Sequence, residues 1–103
     1  MTNPSSHLRL FDKVAIITGA ASGLGRAIAL AFATQGTRLV VCADLQPNAL
    51  PGIPSEAEIS THDLICQQHG EGKAVFMKTD VGVSDDVEAC VKEAVNRGGR
   101  LDM

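Results

Sequence analysis

Tyrosine and tryptophan are absent from the chain's 103 residues, and phenylalanine occurs three times. No phenol is therefore available as a general acid or base. Cysteine is scarce too: Cys42, Cys66 and Cys90 are odd in number and widely spaced. That fits free thiols in a reducing compartment, packed in a core, better than a disulfide framework. No run of roughly eighteen apolar residues occurs, so no membrane span is expected. Positive charge is in deficit, with 9 Lys and Arg against 12 Asp and Glu, and no basic stripe offers the counterion release that nucleic-acid binding needs. Residues 1–7 contain no basic stretch leading into an apolar core, so no secretory signal is read and the cytoplasm is the expected location. The remaining balance, 45% hydrophobic and 20% charged, is that of a single small globular domain.

The stretch from Lys13 to Ala33 organises the rest. Val14 to Ile17 are consecutive, apolar and rich in β-branched residues, which predicts a parallel strand buried on both faces. From Gly23 the period changes: Leu24, Ile28, Ala31 and Phe32 fall at i, i+4, i+7 and i+8, the spacing of one buried helix face. Gly19, Gly23 and Gly25 mark the junction. The first turn of a helix offers amides without intrahelical acceptors and the positive end of the dipole, a seat for phosphate. A Cβ at Gly19 or Gly23 would obstruct the turn or a ligand's approach to the backbone, and one at Gly25 would push the helix off the strand.

Counted from Thr18, the pattern is Thr-Gly-x-x-x-Gly-x-Gly, not the Gly-x-Gly-x-x-Gly of the common dinucleotide fingerprint. Here the chain resembles the short-chain dehydrogenase/reductase family, over residues 8–103 and over the cofactor-binding half of that family's fold. The resemblance implies an α/β fold: a Rossmann-type doubly wound parallel sheet of order 3-2-1-4, truncated after the start of strand 4. Residues 1–7 would be a mobile tail and residues 8–103 a partial NAD(P)-binding Rossmann domain. Gly19, Ser22, Gly23, Leu24 and Gly25 would cradle a pyrophosphate.

Further along, Asp12 reads as a turn residue before the first strand, and the helix is expected to end near Gln35 with Gly36 taking the left-handed conformation. Arg38 to Ala43 predict a second buried strand, which completes a βαβ unit and brings the ends of the two strands together. Asp44 stands at that end, nineteen residues after Gly25, close to the spacing at which a carboxylate meets the adenosine ribose. It can accept from a 2′-hydroxyl, whereas a 2′-phosphate would place like charges together, so NAD is expected in preference to NADP. Ser22, where NADP-preferring relatives carry a basic residue, is neutral. Arg38 belongs to the opposite end of its strand.

Residues 45–60 hold three prolines and a glycine and read as a long surface loop. Ser60 or Thr61 caps a helix running to His69, ended by Gly70 and Gly72. His62, Cys66 and His69 share one face of it, but three ligands on a single helix diverge with its curvature, and no metal site is read there. Lys73 to Thr79 predict a third strand, followed by Asp80 and Val81, which match the resembled family's Asp-Val pair at the adenine ring. Ser84 caps a last helix whose stripe is Val87, Cys90, Val91, Ala94 and Val95, closed by Asn96 to Gly99. Arg100 to Met103 resemble the lead-in to a fourth strand.

The resembled family draws its proton donor from a Tyr-x-x-x-Lys pair in later strands, and this chain has no tyrosine. No catalytic residue is assigned, and the histidines lie away from the strand ends. Two readings stay open: the NAD-binding half of an oxidoreductase that moves hydride between nicotinamide and a carbonyl or secondary alcohol, and a non-catalytic nucleotide-binding or pairing module. In either, the first strand has an open inner edge, and self-association through it is expected.

Overall fold

In the computed structural model, residues 10–47 and 59–103 are described. The expectations placed on residues 1–7 and on most of the 45–60 loop lie outside these residues. Three strands and three helices alternate: β1 (Val14–Thr18), α1 (Gly23–Thr34), β2 (Leu39–Asp44), α2 (Thr61–His69), β3 (Ala74–Lys78) and α3 (Ser84–Gly98). The sheet is parallel, of order β1-β2-β3, with Thr18 opposite Ala43 and Asp44 opposite Lys78. All three C-terminal strand ends therefore face the same way.

Alternation along the strands divides the core between two faces. Ala15, Ile17, Val40, Cys42 and Ala74 pack with Ala29 and Ala33 of α1 and Ile65 of α2. Val14, Leu39, Val41 and Ala43 pack with Cys90 and Ala94 of α3. β2 is buried from Leu39 to Ala43, which is why it reads as a continuous apolar run. Helices cover both faces, the doubly wound arrangement expected from the sequence.

Two helix faces differ from expectation. On α1 the buried residues are Arg26, Ala29 and Ala33, while Leu24 is 77% exposed and Ile28 and Ala31 also face outward. Leu30 and Phe32 reach the core only in part. The helix sits close to the sheet, and close approach selects alanine over leucine at the contact. On α3, Cys90, Ala94 and Gly98 are buried, but Val87, Val91 and Val95 remain roughly two-fifths exposed. Gly98 explains the geometry: a Cβ there would stand 2.5 Å from Cγ2 of Val14.

The cap of α3 differs as well. Val83, in an extended conformation, occupies the position expected of Ser84, and its carbonyl accepts from the amides of Asp86 and Val87. The serine is the first helical residue. Asp86 turns its carboxylate to the Asp80 amide at 3.0 Å. The α2 start follows expectation, with Ser60 Oγ accepting from the Asp63 amide at 3.4 Å.

At the other end of the sheet Asp12 takes a left-handed φ of 62°, tolerated by a short polar side chain, and its amide donates to Gly36. Arg38 grips the Asp12 carboxylate through Nε at 2.8 Å and Nη2 at 2.7 Å, and gives Nη1 to the Gly98 carbonyl. The inner edge of β1 is less open than expected. The Ile16 amide donates to the Met103 carbonyl at 2.8 Å, the amides of Asp102 and Met103 donate to Val14, and the Val14 amide donates to the Asp102 carboxylate. Residues 100–103 form no strand of their own, yet they already cover part of that edge.

Candidate functional site

A cleft of about 290 Å³ opens where the three strands end. Thr18 and Gly19 line it from β1, Asp44 and Leu45 from β2, and Thr79, Asp80 and Val81 from beyond β3. Four of the sequence-nominated residues, Gly19, Asp44, Asp80 and Val81, are thus brought together although they lie up to 62 positions apart (81 − 19). Ser22, Gly23, Leu24 and Gly25 form the cap and first turn of α1 beside it.

The turn from β1 into α1 depends on its glycines. Gly19 and Gly23 have left-handed φ of 65° and 57°, and nothing lies within 4 Å of where a Cβ would stand on either. At those positions a side chain would be strained and would project into the open space on which the turn borders. Gly25 is different: a Cβ would meet the Gly19 carbonyl oxygen at 2.1 Å and the Thr18 oxygen at 3.0 Å. The helix starts that close to the end of the strand. Ser22 is the N-cap in extended conformation, and its side chain makes no capping bond.

Asp44 ties this turn to β2. Its Oδ2 accepts from the Ala21 amide at 2.9 Å and its Oδ1 from the Leu45 amide at 2.7 Å. A carboxylate has about four acceptor positions, so roughly two remain for a ligand in the cleft. Asp80 Oδ1 accepts from the Gly82 amide at 2.9 Å, and Val81 is 66% exposed, an apolar surface beside a carboxylate.

Sequence reasoning missed the residues behind the turn. Thr61, 1% exposed, donates from Oγ1 to the Ala20 carbonyl at 2.6 Å, and Arg26, 5% exposed, donates from Nη1 to the Ile59 carbonyl at 2.8 Å and to Thr61 Oγ1 at 3.4 Å. An arginine in a helix usually reads as a solvent-facing residue. No sequence signal marked it as inward-facing, because the burial of Ala29 three residues on was itself not legible from hydropathy.

The empty space beside Gly19 and Gly23, with the Asp44 carboxylate across the strand ends, fits a dinucleotide: backbone that an anion can approach, and an acceptor for a ribose. His62, Cys66 and His69 have other surroundings. The His62 ring lies 5.9 Å from Phe76 and Cys66 Sγ donates to the Ala74 carbonyl. Among the described residues no three His, Cys, Asp or Glu side chains are grouped to hold a metal. Among them, too, no helix is long and apolar enough to cross a membrane.

A sequence model described as short chain dehydrogenase matches residues 13–103. The short chain dehydrogenase/reductase astE of Aspergillus oryzae is 37% identical over 103 residues, 100% of this chain and 36% of its own length. The 7alpha-hydroxysteroid dehydrogenase of Escherichia coli strain K12 is 34% identical over 99 residues, 96% of this chain and 34% of its own. A solved 7alpha-hydroxysteroid dehydrogenase in complex with NADH and 7-oxo glycochenodeoxycholic acid superposes with a TM-score of 0.76 at 33% identity, covering 99% of this chain and 35% of that one. The chain spans about a third of the length of these relatives.

Proposed function

The chain belongs to the short-chain dehydrogenase family, and on that premise we propose that it is the cofactor-binding part of a nicotinamide-dependent oxidoreductase, selective for NAD over NADP. The observation that carries the reading is the Asp44 carboxylate, which lines the cleft at the end of β2 while holding the turn of the glycine motif through the Ala21 amide. With roughly two acceptor positions left, it receives the ribose hydroxyls of the adenosine half. A 2′-phosphate would bring its negative charge against the same carboxylate.

In this reading Gly19, Ser22, Gly23, Leu24 and Gly25 hold the pyrophosphate, by open backbone and by the amide-rich start of α1. Asp80 accepts from the adenine amine and Val81 packs on the base. The bound nicotinamide supplies hydride transfer to or from a carbonyl or secondary alcohol. This chain's residues bind, orient and select, and none of them is assigned the proton transfer, because no tyrosine is present. Residues 8–103 act as a partial Rossmann domain, and the three free thiols fit the cytoplasm.

The test is titration of the chain with NAD and NADP, with turnover measured in parallel on a secondary alcohol. Saturable NAD binding, weaker NADP binding and no turnover are expected. Failure to bind either dinucleotide overturns the reading.

A second reading, a pairing module that associates with itself, rests on a specific feature. Among the described residues the β1 edge is bonded at Val14 and Ile16 by residues 102–103, and Val87, Val91 and Val95 stay partly exposed on the neighbouring α3. Light scattering across a concentration series tests it: a monomer throughout would remove this alternative.

A further inference from the structure

One peptide unit in the glycine turn is held from both sides. The carbonyl of Ala20 accepts from Thr61 Oγ1 at 2.6 Å, and the amide of Ala21, across the same peptide bond, donates to Asp44 Oδ2 at 2.9 Å. The Ala20 amide donates to the Ala43 carbonyl at 3.3 Å. A peptide is a rigid plane whose C=O and N–H point in opposite directions, so two bonds at its two ends fix its rotation. Glycine, alanine and serine on either side offer no bulk that would do so.

Thr61 is free for this role because it does not cap its own helix. That work falls to Ser60, whose hydroxyl takes the Asp63 amide. The Thr61 hydroxyl instead accepts from Arg26 Nη1 at 3.4 Å, which leaves its hydrogen directed at Ala20. Arg26 belongs to α1, the helix whose first turn borders the cleft. The hydroxyl therefore joins the turn, the start of α2 and a buried cation on α1.

We propose that Thr61 is a positioning residue for the pyrophosphate: through the Ala20–Ala21 peptide it keeps that carbonyl directed away from the cleft and the following amide, that of Ser22, turned toward the anion. The proposal rests on the dinucleotide reading above and adds a division of labour within the turn. The amides of Ala20 and Ala21 serve the scaffold, and that of Ser22 serves the ligand. Without the hydroxyl the peptide is held from one side only, and a rotated carbonyl would present a negative dipole to a phosphate.

The experiment compares wild type, Thr61→Val and Thr61→Ser by titration with NAD and with adenosine, alongside urea unfolding and the exchange rate of the Ala21 amide. Thr61→Val should weaken NAD by about tenfold or more and adenosine by clearly less, since the lost buried hydrogen bond acts first on the turn that meets the phosphates and only through the Ala21 amide on Asp44, while Asp80 and Val81 are untouched. Ala21 exchange should quicken in the same variant. Thr61→Ser, which keeps the hydroxyl, should restore NAD binding and slow exchange. NAD binding unchanged in Thr61→Val overturns the proposal and leaves the dinucleotide reading standing. Equal losses for NAD and adenosine, tracking a fall in the unfolding midpoint, overturn it as mere destabilisation. A wild type that binds no NAD overturns both.

Discussion

Gly25 rests against the carbonyl of Gly19, so closely that a Cβ would fall 2.1 Å from its oxygen. The obstacle is backbone and cannot swing aside as a flexible side chain would. Gly25→Ala should therefore force α1 away from the end of β1, at a cost of about 1–3 kcal/mol. Urea unfolding should show a lower midpoint. An unchanged midpoint would mean that the turn yields without strain.

Gly23 separates stability from binding. Its φ of 57° strains any side chain, yet nothing lies within 4 Å of the added atom. Gly23→Val should cost roughly 1–2 kcal/mol for the left-handed backbone and abolish binding of both NAD and NADP. A folded variant that still binds either dinucleotide would place the phosphate elsewhere.

Asp44 does two things, and two substitutions divide them. Asp44→Ala removes the acceptor for the Ala21 amide together with the ribose acceptor, so NAD weakens and its advantage over NADP narrows. Asp44→Asn keeps one acceptor oxygen and removes the charge, so the advantage over NADP should narrow while stability stays nearer wild type. An NAD to NADP ratio unchanged in both variants would sink the ribose assignment.

The strands and the glycine turn were legible in the sequence because each leaves a local signature, whereas the order of the strands in the sheet followed from the family resemblance. β2 lies between helices on both faces and so reads as an unbroken apolar run from Leu39 to Ala43. The helix faces were not legible, because hydropathy ranks Leu24 and Ile28 above Ala29 and Ala33, whereas a helix drawn close to a sheet buries whatever is small. Ser84 is not the cap but the first helical residue, one position inside Val83, whose carbonyl accepts from the amides of Asp86 and Val87. The hold of Thr61 on Ala20 crosses 41 positions, and no spacing rule reaches that far.

Acid should loosen the end of the sheet away from the cleft. The Arg38 guanidinium holds the Asp12 carboxyl below the usual carboxylate range, and the Val14 amide, then Arg100, do the same for Asp102. A depressed folded pKa contributes stability above the unfolded value, about 3.9, and the contribution is lost as pH falls through the lower folded value. The urea midpoint should fall as pH drops below about 4, and Asp102→Asn should show a shallower fall. Identical acid profiles for the two proteins would refute this.

Cys42 is closed to thiol chemistry while the protein is folded. Burial, with a smaller contribution from Cys66, pushes its pKa up to about 12, so almost no thiolate exists at neutral pH. Iodoacetamide should label the half-buried Cys66 first and reach Cys42 only on unfolding. Equal native labelling of the two would show that the sheet opens far more readily than its packing implies.

The bond between the Val14 amide and the Asp102 carboxylate spans 88 positions. Closing so long a loop brings no reward until the intervening strands have assembled, so this contact is expected to form late in folding. The strand that comes first in the sequence is then the last to have both edges satisfied. The partner of β1 on one side is the whole of β2 and on the other, among the described residues, residues 102 and 103 at the far end of that loop.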